Sequence, residues 1–458
     1  MQIALILTGV VLVGWFIVQR SVLLVPAVVV LAFLAVPASL PSAVTLGPFS
    51  AQLHEPVLAV AVVWAVATHR GSSYAGIRIG ALLVLLLLGA ISGVLHGNGL
   101  VPLIGDLRPL MYLIGAMVVA SRLVGTPVWP TVLRTVVLVL WVSATVTAAG
   151  SVAGLTVAGQ IESASLSDPL AAAGATRLVT SATYLAVAAL CGVIAEAVAG
   201  LHPLLSRWYV VVPASAIMVL SFSRNNLLAL LAAVVVAILW ARSARALVYT
   251  CGAAILVATI AVTLHVGSPV IGEVPGGAYV NRQVDGYVGR VIEGLGEKSF
   301  SSDPSVLYRT DIENPHLMRA FGDSPIAGHG FGHAYKAPMS SQNVFFQDAA
   351  RYYAHNYYLW LAVKTGIVGL LLFIFALVAP IAAAIQTSNR DALGPAAALA
   401  GLLAISVVGP MPNNIPTSTL VGLVAGALVG ILGMVQSRRP ASTNTILPAQ
   451  SKKEPVPC

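Results

Sequence analysis

The chain has 458 residues, 58% of them hydrophobic and only 9% charged. Soluble domains carry roughly a quarter charged residues, so this composition excludes one and predicts a polytopic membrane protein. The formal net charge of +8 comes from scattered cations with no basic stripe interleaved with aromatics, which argues against a nucleic-acid partner.

Apolar runs recur along almost the whole chain, near 2–18, 22–37, 56–68, 79–95, 108–124, 130–149, 177–199, 207–222, 225–241, 246–264, 355–385, 391–409 and 418–435. A bilayer crossing needs about 20 residues, so the third run, the eighth and the ninth are short. The fold expected is all-α: a transmembrane bundle of about 12–14 helices. The first cation, Arg20, follows the first run and no basic region precedes it. That run therefore reads as a retained helix that starts outside, not as a cleaved signal.

Cations set the orientation. With the start outside, one set of connections collects Arg20, Arg70, Arg78, Arg122, Arg134, Arg207, Arg242, Arg245 and Arg390, with Arg438, Arg439, Lys452 and Lys453 in the tail. The opposite short connections hold only Arg108, Arg177 and Arg224. The positive-inside rule puts the first set in the cytoplasm. Four regions follow: helices over 1–264, a large outer loop over 265–354, helices over 355–435, and a disordered cytoplasmic tail over 436–458. Cys191 and Cys251 lie in apolar runs and Cys458 is the last residue, so no disulfide framework or zinc pattern can be drawn.

The loop has order of its own. Val284, Tyr287, Val288, Val291, Ile292 and Leu295 share one helical face, opposite Arg290, Glu293 and Glu297. That pattern suits a short helix lying on the membrane or on the bundle as a lid or brace. The glycines at 286, 289, 294 and 296 work against it.

Outer cations have no topological role, so each needs another explanation. Arg224 sits in SFSRNNLLALL between two apolar runs. An arginine at the centre of a membrane helix costs about 2.5–3.5 kcal/mol, and less at a helix end, where it snorkels. It reads either as such a capping residue or as a guanidinium that forks onto a phosphate; the cation-poor junction favours the second. Arg309 and Arg319 bracket the polar stretch before GHGFG, whose glycines are Gly328, Gly330 and Gly332. The glycines suit either a tight turn with positive φ or close backbone approach to a sugar or phosphate. His355 lies where the loop re-enters the membrane, at the start of a helix whose positive dipole end favours a neutral imidazole able to act as a base. Tyr352, Tyr353, Tyr357, Tyr358 and Trp360 around it read as an interfacial aromatic belt. Asn356 and Tyr358 are candidates to line the substrate beside it. His54, His265, His316, His329 and His333 also fall on the outer side and take no role from sequence.

Three blocks resemble the O-antigen ligase and O-antigen polymerase superfamily. They are FSRNNLLAL, then RTDI followed by SPIAGHGFG, and AHNYYLWLAVKTGIVGLLLF. The resemblance implies a GT-C-like bundle in a bacterial plasma membrane that transfers a glycan from a polyprenyl diphosphate to an acceptor hydroxyl outside the cytoplasm. It implies that Arg224 and Arg309 bind the diphosphate, with Arg319 as the other choice for the second arginine, and that His355 activates the acceptor. Two positions depart from the family's pattern. Glu313-Asn314-Pro315 stands where an aromatic residue is common, and Lys364-Thr365 where an acidic residue is common before Gly366. The partners implied are the lipid-linked glycan donor, a glycan or lipid acceptor and membrane lipid. The donor arrives activated, so the transfer needs no cofactor and no metal. Direct displacement would invert the anomeric centre.

Two other classes compete with this one. A transporter of solutes or lipid-linked glycans suits the composition. The long outer loop, the absence of repeats and the scarcity of ionisable residues deep in helices count against it. A transferase using a lipid monophosphate donor would want acidic residues in the first outer loop, where only Glu55 stands, beside His54.

Overall fold

The computed structural model describes residues 19–40, 43–46, 49–158, 160–162, 177–248, 250–252, 277–292, 304–337 and 351–438. Run 2–18, nearly all of 246–264, loop residues Glu293, Leu295 and Glu297, and most of the tail fall outside them. Within the described residues, each predicted run carries a helix. In chain order these are α1 (Leu24–Phe33), α2 (His54–Thr68), α3 (Ser73–Leu95), α4 (Leu100–Leu123), α5 (Trp129–Ala153), α6 (Ser181–Val198), α7 (Trp208–Leu220) and α8 (Asn225–Ala241). The loop contributes α9 (Gly277–Tyr287) and α10 (Asn314–Asp323), and α11 (Tyr357–Thr387), α12 (Arg390–Ile405) and α13 (Ile415–Arg438) close the chain.

Among the described residues, α3, α4, α5, α6, α11 and α13 are long and apolar enough to cross a membrane, while α1, α2, α7 and α8 are shorter apolar helices. The protein is a polytopic membrane helix bundle. Two short antiparallel strand pairs decorate one end of it: β1 (Ala43–Leu46) with β2 (Phe49–Gln52), and β3 (Gln160–Glu162) with β4 (Arg177–Val179).

Two helices begin earlier than hydropathy suggests, because charged residues within them are paired. Helix α4 starts at Leu100 rather than 108 and takes in Asp106 and Arg108. Arg108 reaches the buried Glu55 at 2.5 Å and the Ser50 carbonyl at 2.7 Å. Helix α3 starts at Ser73 rather than 79, and the Arg78 guanidinium in it covers the Phe375 ring at 3.9 Å. Such pairing offsets the desolvation that hydropathy charges to these residues.

Helix α13 is the centre of the bundle, with 83% of its spanning window buried against 28% for α3. Gly422, Gly426 and Gly430 lie on α4 at Leu113, Met117 and Ser121, so close that a Cβ at the first two would collide with backbone carbonyls. In hydrocarbon, where apolar side chains gain nothing by leaving lipid, such small-residue seams are what bind helices. On the outside of α3, Leu83, Val84, Leu87 and Leu88 are exposed, as a lipid-facing surface requires.

Over its described residues the predicted loop helix forms despite its glycines. Helix α9 continues into a π-helical turn at Val288–Ile292; Val291 is fully buried, and Tyr279 donates to Ser151 of α5 at 2.7 Å.

Candidate active site

Between Tyr308 and Glu313 the loop winds as a π-helix, then tightens into α10 at Asn314-Pro315. Pro315 suits the first turn of a helix, where its missing N–H is not needed. This winding buries Glu313, whose side chain is 1% exposed, against the segment just before α11. There the Glu313 carboxylate accepts the His355 backbone N–H at 2.9 Å and the His355 Nδ1–H at 3.1 Å. A carboxylate only accepts, so Nδ1 is a protonated nitrogen and donates to it. The imidazole is 13% exposed.

Aromatic residues enclose this pair. The rings of Tyr308 and Tyr353 meet His355 edge-on, with centroids 6.1 and 5.5 Å away. The Tyr335 hydroxyl lies 3.4 Å from Glu313 Oε1 and donates to the Tyr353 carbonyl at 2.8 Å. Lys336 donates to the Tyr308 hydroxyl. Burial, then the Glu313 charge, pushes the Tyr308 phenol up to about 12, and burial raises Tyr335 and Tyr353 as well. These phenols therefore stay protonated and serve as donors. Burial lowers Lys336, and Glu313 offsets part of that.

Arg309 precedes Glu313 by four residues in the π-helix, and its charge acts on Tyr353, the neighbour of His355. Arg224 is the N-cap residue of α8. It is set there by a tight turn in which the buried Phe222 holds φ +45, a left-handed conformation that is strained for a phenylalanine. Phe222 packs on Tyr287, and the Ser221 carbonyl accepts from Arg177 Nε at 3.1 Å. The next residue, Asn225, lies against Gly409, while the Ser406 carbonyl accepts the Tyr357 N–H at 3.0 Å. Arg224, Arg309 and His355 thus share one end of the bundle. Arg177 joins them, within electrostatic range of Tyr184, which in turn acts on Tyr353.

The remaining sequence candidates have other surroundings. Gly328, Gly330 and Gly332 all have positive φ, at +70, +81 and +83. The Gly330 N–H goes to the Lys364 carbonyl at 2.8 Å and the Gly332 N–H to Asp106 Oδ2 at 2.7 Å. A side chain at Gly328 would meet α11 backbone at 2.5 Å, and one at Gly330 would enter α3 at Gly93. The tight-turn reading accounts for all of these contacts. Asn356 caps α11 by accepting the Leu359 N–H at 3.1 Å, and the Tyr358 hydroxyl donates to the Leu403 carbonyl at 2.8 Å. Arg319 lines a different cavity, on the far side of Tyr335 and Lys336.

Sequence reasoning missed two residues. Glu313 appeared only as a departure from a pattern; its four-residue spacing from Arg309 was the available signal. Asp106 pairs with the fully buried Lys364 at 2.6 Å, and Lys364 also donates to the His333 carbonyl at 2.6 Å. Lys364, the other departure, is therefore the post that ties the glycine segment to α4 and α11. Among the described residues, no group of three His, Cys, Asp or Glu side chains is placed to hold a metal ion.

Residues 209–374, from α7 into α11, match the family model described as O-antigen ligase. Over this stretch the chain is similar to the O-antigen ligase family. The match takes in Arg224, Arg309, Glu313 and His355 together. No curated protein matches the chain.

Proposed function

We propose that this O-antigen ligase-type protein transfers a glycan from a polyprenyl diphosphate to an acceptor hydroxyl, at the outer face of a bacterial plasma membrane. The observation that carries the reading is the Glu313–His355 pair, 3.1 Å apart, at the same bundle end as Arg224 and Arg309. His355 Nε2 takes the proton of the acceptor hydroxyl as its oxygen bonds to the anomeric carbon. The bond from that carbon to the diphosphate oxygen breaks, and the configuration inverts. Glu313 fixes the ring and stabilises the imidazolium that forms, a positioning role known from buried carboxylates behind catalytic histidines. Arg224 and Arg309 neutralise charge on the departing diphosphate. The outward orientation rests on the cation asymmetry between the two ends of the bundle.

The test is transfer by purified protein in nanodiscs with a lipid-linked donor and its acceptor. His355→Ala is expected to lower the rate by about 10²–10⁴-fold, the range for removing a general base. Full activity in that variant would remove His355 from the mechanism. Mass analysis of the lipid intermediate in a deletion strain then assigns the acceptor. Single repeats identify a polymerase, and finished chains identify a ligase.

A further inference from the structure

Behind the Tyr335–Lys336 wall lies a cavity of about 340 Å³ that the transfer step does not use. Helix α10 supplies His316, Arg319 and Asp323 to one side of it, and the loop supplies His329, His333 and Tyr335 to the other. His329 and His333 stack face to face, with centroids 4.2 Å apart and rings 14° from parallel. His316 donates from Nδ1 to the Ile312 carbonyl at 2.7 Å, and His329 from Nε2 to the Ala320 carbonyl at 2.7 Å. In its neutral form each ring keeps one acceptor nitrogen. Burial, with the neighbouring His329, lowers His333 to about 4, so it adds no charge near neutral pH.

The cavity thus offers flat ring faces, hydrogen-bond acceptors, the Asp323 carboxylate, the Arg319 guanidinium and, in its wall, the Lys336 amine that is committed to the Tyr308 hydroxyl. Sugars are held by such flat faces and by acceptors for their hydroxyls. A diphosphate fits less well, because its several charges would face Asp323. A single carboxylate on a sugar could pair with Arg319 while Asp323 accepts hydroxyls. We propose that the cavity seats an acidic sugar residue of the acceptor glycan, its carboxylate on Arg319 and its ring against Tyr335 and the histidine stack. The assignment to the acceptor rests on the transfer reading above. Tyr335 and Lys336 make the connection, since they also contact Glu313 and Tyr308 beside the base.

Binding of two soluble probes to the full chain in nanodiscs tests this, with tetragalacturonate as the acidic glycan and maltotetraose as the neutral one. Tetragalacturonate is expected to bind more tightly and to weaken about tenfold in Arg319→Gln, the scale of one lost charge-assisted bond. His355→Ala is expected to leave that binding unchanged, and inorganic pyrophosphate should not displace the probe at comparable concentration. Arg319 is exposed on α10, so its replacement leaves the fold intact. Equal binding by Arg319→Gln, equal binding of the neutral probe, no binding of either, or displacement by pyrophosphate would each overturn the assignment. The two readings fail separately. Full transfer by His355→Ala removes the base, whereas unaltered acid-glycan binding by Arg319→Gln removes the cavity's role.

Discussion

A buried carboxylate is tolerated only when its oxygens are occupied, and Glu313 receives the His355 amide and the His355 ring. Both donors belong to a single residue, so the carboxylate fixes both the backbone and the side chain of His355. Glu313→Gln keeps the shape but presents an amide that can satisfy Nδ1–H only through its oxygen. The expected result is a fall of about 10²-fold or more in transfer rate with little change in acceptor KM. A KM effect alone, with kcat intact, would show that Glu313 serves only the fold. None of this was legible from residue types, because the partners stand 42 positions apart in the sequence. His355 itself was legible, since a histidine before an apolar run has few tasks. Arg224 was legible for a similar reason: a cation at a poorly charged junction stands out.

At the scale of elements, the glycine segment is held by one ion pair. Lys364 is fully buried, and Asp106 accepts from it and from the Gly332 amide. Asp106→Asn would leave an ammonium without its counter-charge, at a cost of ~3–5 kcal/mol. The melting midpoint in detergent should fall accordingly. Combining Asp106→Leu with Lys364→Met is expected to restore part of the loss, because no charge is then buried alone, although the Gly332 amide still lacks its acceptor. A double variant no more stable than Asp106→Asn would argue against the ion pair as the source. Helix positions were readable from apolar length, but the starts of α3 and α4 were not. Arg78, Asp106 and Arg108 look like loop residues until their partners, all distant in sequence, are in place. The same holds for β1–β2 and β3–β4, whose strands are only three or four residues long.

For the whole molecule, the charge alternation sorts the chain into two ends. Arg122 donates to the His69 carbonyl and Arg207 pairs with Glu196 at one end, while the Glu313–His355 site lies at the other. In a chain with Cys251 and Cys458 changed to serine and the buried Cys191 kept, Ala337→Cys should react with a membrane-impermeant thiol reagent on intact cells. Ser206→Cys, exposed at the opposite end, should react only after the cells are opened. Labelling of both in intact cells would overturn the orientation.

The seam between α4 and α13 bears on how such an enzyme handles glycans of different girth. Backbone lies on backbone at Gly422, Gly426 and Gly430, so there are no side chains there to change rotamer and no gap to widen. The pair acts as a keel. Room for a bulkier chain has to open elsewhere, on the flank where Phe331 leans into the missing side chain of Gly89. Variants selected for longer or thicker products should therefore gather around that aromatic ring and leave the keel untouched.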